Sequence, residues 1–170
     1  MPHPLKAVTE ALPIDIQDLP PLLAPEARLL GLDVGTKTVG MALSDVTRSI
    51  ATPFDTIRRT KLTQDAKSIR EVIEANRVGA LVIGFPLNLD GSEGPRAQST
   101  RAFARNLACH IALPMVLWDE RLSTAAVERH LIEVDASRKR RAQVIDRMAA
   151  AYILQGALDR LRYFAEQRQA

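Results

Sequence analysis

The sequence predicts an α/β fold: a mixed five-stranded sheet with helices on both faces. Three observations predict it. Three strand-like runs come first, with only turns between them. Helical periodicity then alternates with short apolar runs. A long helical segment closes the chain. An antiparallel meander followed by βα alternation gives a mixed sheet covered on both sides.

The elements follow in order. Six of the ten prolines lie within residues 1–27 (Pro2, Pro4, Pro13, Pro20, Pro21 and Pro25), a spacing that prevents a long helix and disfavours a central strand. The expectation is a Pro-rich flexible arm over residues 1–27, with at most one short turn around Ile14–Leu19, followed by a single domain over residues 28–170. Leu29–Val34 is an apolar run ending at Gly35, hence a buried strand, and Thr38–Ser44 returns after a Gly-Thr-Lys turn as a hairpin. Ala51–Arg58 reads as a third, more polar strand. Thr63–Arg77 carries the stripe Ala66, Ile69, Val72 and Ile73, with Thr63 as N-cap and Gly79 as the stop. Leu81–Phe85 is a buried strand, and Pro86–Pro95 is a turn-rich loop. Ala97–Ile111 is a second helix, Pro114–Trp118 the fifth strand and Ser123–Val134 a third helix. Asp135–Arg141 reads as a charged loop, and Ala142–Gln167 as the final helix.

Composition narrows the function classes. Hydrophobic residues make up 46% of the 170 and charged residues 25%, the balance of a soluble globular domain. No apolar run reaches the length of a membrane helix, and the first residues do not read as a signal peptide. The single Cys109 excludes an intrachain disulfide framework and a cysteine-based zinc cage. The expected compartment is the cytoplasm. Aromatics at 4% argue against a broad base-stacking platform. A net charge of +3 is mildly basic; its cations are mostly arginine, whose planar fork suits phosphate oxygens, although a GC-rich genome also favours arginine.

Three carboxylates stand at informative positions. Asp33 lies inside the apolar run LLGLDVG, where an acid has no cheap structural role. Glu120 follows the strand PMVLW by two residues. Asp146 sits about 100° from Ile145 on the helical wheel, at the border of the apolar face, with Ala149 and Ala150 leaving room beside it. Gathered carboxylates repel and raise one another's pKa unless a cation neutralises them. Hard oxygen donors without a Cys or His pair point to magnesium or manganese. Two such ions activate a water and stabilise the leaving oxygen in phosphodiester cleavage. Taken singly, Asp146 also reads as a favourable charge near a helix N-terminus, and Glu120 as a flanking acid of the next helix. Asp45, Asp90 and Asp119 are candidates for supporting roles.

Several residues are candidates for contact with nucleic acid. Lys37, in the tight hairpin from Asp33 to Gly40, either holds a phosphate or is an exposed turn lysine. Asn88, in the loop Asn88–Ser92, lines a substrate groove or belongs to a solvated turn. Arg121 touches a phosphate or pairs with Asp119. Arg138, Lys139, Arg140 and Arg141 form either a flexible phosphate clamp or a solvated charged loop.

Together, GLDVGTKTVGMALSD, LVIGFPLNLDGSEGP, WDERLSTAAVE and VIDRMAAAYIL closely resemble the YqgF family, in family order, over about Leu29 to Leu161. The resemblance implies a ribonuclease H-like fold and makes Asp33, Glu120 and Asp146 the catalytic and metal-binding acids. The family carries two proposed activities, maturation of the 5′ end of pre-16S ribosomal RNA and Holliday junction resolution. The first is the preferred expectation, with pre-rRNA as partner, branched DNA as the alternative, no membrane, and a monomer or weak homodimer. A sugar-kinase-like phosphotransferase shares the Asp-x-Gly-Thr-Lys hairpin, but it needs a second phosphate hairpin that this chain lacks. A non-cleaving nucleic-acid-binding module is disfavoured because all three acids remain.

Overall fold

The computed structural model describes residues 13–122 and 138–170, with side chains from Ile145 onward in the second stretch. Five strands form one sheet: β1 Arg28–Val34, β2 Thr38–Ser44, β3 Ala51–Arg58, β4 Val78–Phe85 and β5 Met115–Asp119, in the order β3-β2-β1-β4-β5. β1, β2 and β3 pair antiparallel, while β1, β4 and β5 run parallel, so the sheet is mixed as expected. The three long helices described are α1 Leu62–Asn76, α2 Pro95–Ala108 and α3 Arg138–Gln169. The expected helix Ser123–Val134 lies outside the described residues.

Strand alternation sorts the core into two layers. On one face Leu30, Leu32, Val39, Met41, Leu81 and Ile83 pack against Ala66 and Ile69 of α1 and Phe103 and Leu107 of α2. On the other, Leu29, Ala42, Ala80, Val82, Val116 and Trp118 pack against Ala150, Ile153, Leu154 and Leu158 of α3. Helices therefore cover both faces. α3 comes unusually close because its face of the sheet carries glycine where other strand positions carry side chains. A Cβ at Gly31 would stand 2.8 Å from Leu154 Cβ and 2.9 Å from the Ala150 carbonyl oxygen.

The expectation of a flexible arm over residues 1–27 does not hold for residues 13–27. Ile14 bridges Val116 in parallel, its N–H donating to the Met115 carbonyl at 3.0 Å. Two 3-10 turns follow, Ile16–Asp18 and Pro20–Leu22, and bury Ile16 and Leu19 in the α3 layer, Leu19 completely. Proline does prevent a long helix here. It is tolerated at the first position of a short turn, where its missing N–H costs nothing, and the apolar residues between the prolines have a core to enter.

Smaller corrections concern boundaries. α1 ends at Asn76, with Arg77 in the left-handed conformation (φ 53°) as its C-cap; Gly79 does not stop it but lies inside β4. No side-chain cap starts α1. Instead Asp65 accepts from the Thr60 N–H (3.0 Å) and hydroxyl (3.0 Å). α2 starts earlier than expected, at Pro95, and ends at Ala108. The charged run is not wholly a loop: backbone helix begins at Arg138.

Candidate functional site

The parallel strands β1, β4 and β5 end at the same edge of the sheet, where ligand-binding side chains gather in open α/β sheets. Asp33 is the penultimate residue of β1, buried at 6% exposure and paired with Gly40 of β2. Its neighbours Leu32 and Val34 face the α1–α2 layer, so alternation turns Asp33 toward α3. Glu120 opens the 3-10 turn Glu120–Leu122 directly after β5 and is half-buried. Its carboxylate reaches back over β4: a Cβ at Gly84 would stand 2.6 Å from Glu120 Oε1. Asp146 comes from the opposite direction, on α3, and its backbone and Cβ lie over Gly40. It is half-buried, and the Thr38 hydroxyl donates to its Oδ2 at 2.5 Å.

Three acids distant in sequence thus share one face and one end of the sheet. Two glycines, Gly40 and Gly84, make the space that the Asp146 segment and the Glu120 side chain occupy. The carboxylates are not drawn into a single ligand set: among the described residues no three of His, Cys, Asp and Glu stand close enough together to hold a metal ion. Each offers carboxylate oxygens, the donor type that hard cations take. Gly40 makes room for the Asp146 backbone, and Gly84 for the Glu120 carboxylate and the Ile153 side chain.

The other candidates divide. Lys37 is exposed at the hairpin tip, where its carbonyl accepts from the Arg59 N–H at 2.8 Å. Asn88 is exposed but holds its own loop together, donating to Ser92 Oγ at 2.9 Å, while its N–H bonds the Ser92 carbonyl at 3.0 Å. Asp90 accepts from the Ser92 N–H and hydroxyl, which lowers its pKa. Arg121 takes the second of its two readings. It forks onto Asp119, with Nη2 to Oδ2 at 2.6 Å and Nε to Oδ1 at 3.0 Å, and its Nη1 donates to the Leu89 carbonyl at 3.2 Å. That pairing lowers the pKa of Asp119 and raises that of Arg121. Arg121 therefore braces the exit of β5 against the Asn88–Ser92 loop. Arg138, Lys139, Arg140 and Arg141 stand in the first turns of α3, and their side chains lie outside the description.

Sequence reasoning missed Thr38 as the partner of Asp146, and Gly40 and Gly84 as seats for the acids. The signal available was glycine inside strands, which marks a close approach of another chain segment.

The comparisons with known proteins agree with this architecture. The model of the RuvX family, described as Holliday junction resolvase, matches residues 27–160. A curated protein of Methylocella silvestris described as "Putative pre-16S rRNA nuclease" is 59% identical over 149 residues, covering 88% of this chain and 92% of its own. A relative of the same description from Paramagnetospirillum magneticum is 60% identical over 154 residues, covering 85% and 99%. Among solved structures, T. thermophilus RuvC in complex with a Holliday junction substrate superimposes with a TM-score of 0.51 at 12% identity, covering 79% of this chain and 96% of that one. The fold is therefore ribonuclease H-like, as the resemblance implied. With a family match that begins at the foot of β1 and relatives this similar along nearly their whole length, the chain belongs to the RuvX family.

Proposed function

We propose that the chain is a divalent-metal-dependent nuclease that hydrolyses phosphodiester bonds at the 5′ end of pre-16S ribosomal RNA, with Asp33, Glu120 and Asp146 as its catalytic acids. The observation that carries this reading is the seating of Asp146 over Gly40 and Glu120 over Gly84, on the face toward which Asp33 turns. The same glycines that let α3 pack closely on the sheet, Gly84 beside the buried Ile153 as well as Glu120, bring two acids to the end of the sheet where the buried Asp33 stands. The curated relatives are described as pre-16S rRNA nucleases, which supports the choice of substrate. Asp33, Glu120 and Asp146 would hold the ion, magnesium or manganese, whose bound form activates water and stabilises the leaving oxygen.

The protein's own residues do the positioning. Asp33 is fixed by the ladder between β1 and β2, and Asp146 by its bond from Thr38. The brace from Arg121 to Asp119 and Leu89 ties the turn carrying Glu120 to the neighbouring loop. Lys37, Asn88 and the run Arg138, Lys139, Arg140 and Arg141 are the proposed contacts to backbone phosphates. Cations in the first turn of a helix oppose its dipole, an arrangement that an anionic strand would relieve. No helix among the described residues is long and apolar enough to cross a membrane, and the proposed setting is the cytoplasm, as a monomer or weak homodimer.

The family description favours a second reading, resolution of four-way DNA junctions. That activity needs two sites facing paired strands, hence a symmetric dimer. One experiment separates the readings: purified protein and its Asp33→Asn variant are incubated with a pre-16S RNA fragment and a four-way junction, with magnesium, manganese, calcium or chelator. RNA cleavage supported by magnesium or manganese and lost in Asp33→Asn is expected. Cleavage by the variant at the parental rate removes Asp33 from the mechanism, full activity in chelator removes the metal, and junction cleavage alone selects the second reading.

A further inference from the structure

At the opposite end of α3 from Asp146, three chain segments line a cavity of about 270 Å³, formed by Pro20, Leu23, Arg48, Ser49, Leu161 and Arg162 among others. Two arginines are among its lining residues. Arg48 donates through Nη1 to the Ala27 carbonyl at 2.8 Å, and Arg162 through Nη2 to the Ser49 carbonyl at 3.2 Å. Each is thus fixed by a neutral acceptor that leaves its charge intact. Among the described residues neither forms an ion pair.

Asp45 and Asp159, near the cavity, hydrogen-bond to other groups, while Glu166, four residues after Arg162 on α3, is exposed to solvent. Asp45 turns into its own loop, where its Oδ1 accepts from the N–H groups of Ser49 (2.8 Å) and Ile50 (3.0 Å) and its Oδ2 from the Thr47 hydroxyl. Asp159 accepts from Gln155 at 2.9 Å. Gln155 also donates to the Ser49 carbonyl (3.0 Å) and accepts from the Ala51 N–H (2.9 Å), which pins the loop to α3. The loop that carries Arg48 is therefore tied to the helix that carries Arg162. Two like charges held on one small cavity repel, and an anion between them removes that cost. Planar guanidinium forks match phosphate oxygens. The volume is below the range of drug-sized ligand pockets and suits a single phosphate group with part of its sugar.

We infer that Arg48 and Arg162 form a second phosphate-binding site, taken by a backbone phosphate of the same nucleic acid that is cut at the acids. This rests on the proposed nuclease reading. The sixteen residue steps along α3 from Asp146 to Arg162 set the two sites about 24 Å apart. That separation corresponds to about seven base pairs of duplex at 3.4 Å per step. A strand gripped at both points runs along α3.

The test is binding of single-stranded RNA long enough to span both sites, over a salt series, by the full chain carrying Asp33→Asn. Adding Arg48→Gln and Arg162→Gln is expected to lower the salt-dependence slope by about 1.4, at roughly 0.7 per single-strand phosphate contact. Arg162→Gln alone, at an exposed helix position that does not endanger folding, is expected to lower it by about 0.7. Lysine at both positions restores most of the slope. An unchanged slope in a protein that binds RNA overturns the inference and leaves the nuclease reading intact. Failure of the parent to bind any nucleic acid overturns both. Inorganic phosphate that raises the melting temperature through Arg48 and Arg162, with the RNA slope unmoved, would make this a site for free phosphate and likewise overturn the strand assignment.

Discussion

Thr38 shows how one side chain conditions the candidate site. Its hydroxyl is the described partner of Asp146 Oδ2, and its neighbour Lys37 forms the hairpin tip. Residues that hold a metal ligand from behind are worth about 10–100-fold in affinity or activity. Thr38→Val is therefore expected to lower cleavage by about that factor and to move the magnesium titration to higher concentration, while stability falls by only about 1 kcal/mol. A magnesium titration that superimposes on the parent's would remove Thr38 from the site. Asp45 is a structural counterpart. Hydrogen bonds from Ile50, Thr47 and Ser49 hold its pKa down at about 2, against the usual 3.8. A depressed carboxylate stabilises the fold above its unfolded pKa and loses that contribution as pH falls through the folded value. Asp45→Ala should therefore be less stable than the parent at neutral pH, with the gap closing between about pH 4 and pH 2. Urea melts at several pH values check this; a gap independent of pH refutes it.

At the scale of elements, the contact of α3 with the sheet decides where Asp146 lies. Gly40 and Gly84 look equivalent in sequence, yet their surroundings differ. A Cβ at Gly40 would press on the Asp146 backbone, which moves only if α3 moves. A Cβ at Gly84 would meet two side-chain ends and no backbone, the Glu120 carboxylate at 2.6 Å and Cδ1 of the buried Ile153 at 2.5 Å. Gly40→Ala should cost about 1–3 kcal/mol or more of stability, as overpacking does. Gly84→Ala should cost less stability but displace Glu120, so that cleavage falls more than folding does. Denaturation midpoints and cleavage rates for the two variants are compared; equal effects of the two on both measures would show that the seats are interchangeable.

For the molecule as a whole, residues 13–27 belong to the folded body. Leu19 is completely buried against the α3 layer, and Ile14 extends the pairing beyond the edge strand β5. Leu19→Ala is expected to cost about 2–5 kcal/mol, the range for truncating a buried leucine. Removing residues 1–27 is expected to give insoluble or unfolded protein, read by solubility and far-UV circular dichroism. A soluble, cooperatively melting truncation would show that the segment is dispensable.

Element type and order were legible in the sequence because strand alternation and helical stripes are local patterns, and the hairpin after Asp33 announced itself through its turn. Asp33, Glu120 and Asp146 stood out for a related reason: an acid in an apolar run or at the border of an apolar stripe breaks a local rule. Which glycine seats which acid, that Thr38 meets Asp146 across 108 positions, and that Arg121 closes on Asp119 and Leu89 were decided only when α3 packed on the sheet. The fate of residues 13–27 was decided the same way. Proline content reports which backbone shapes a segment refuses. Whether its apolar residues find a core depends on the surface that the rest of the chain presents, and that surface exists only once the sheet and α3 have come together.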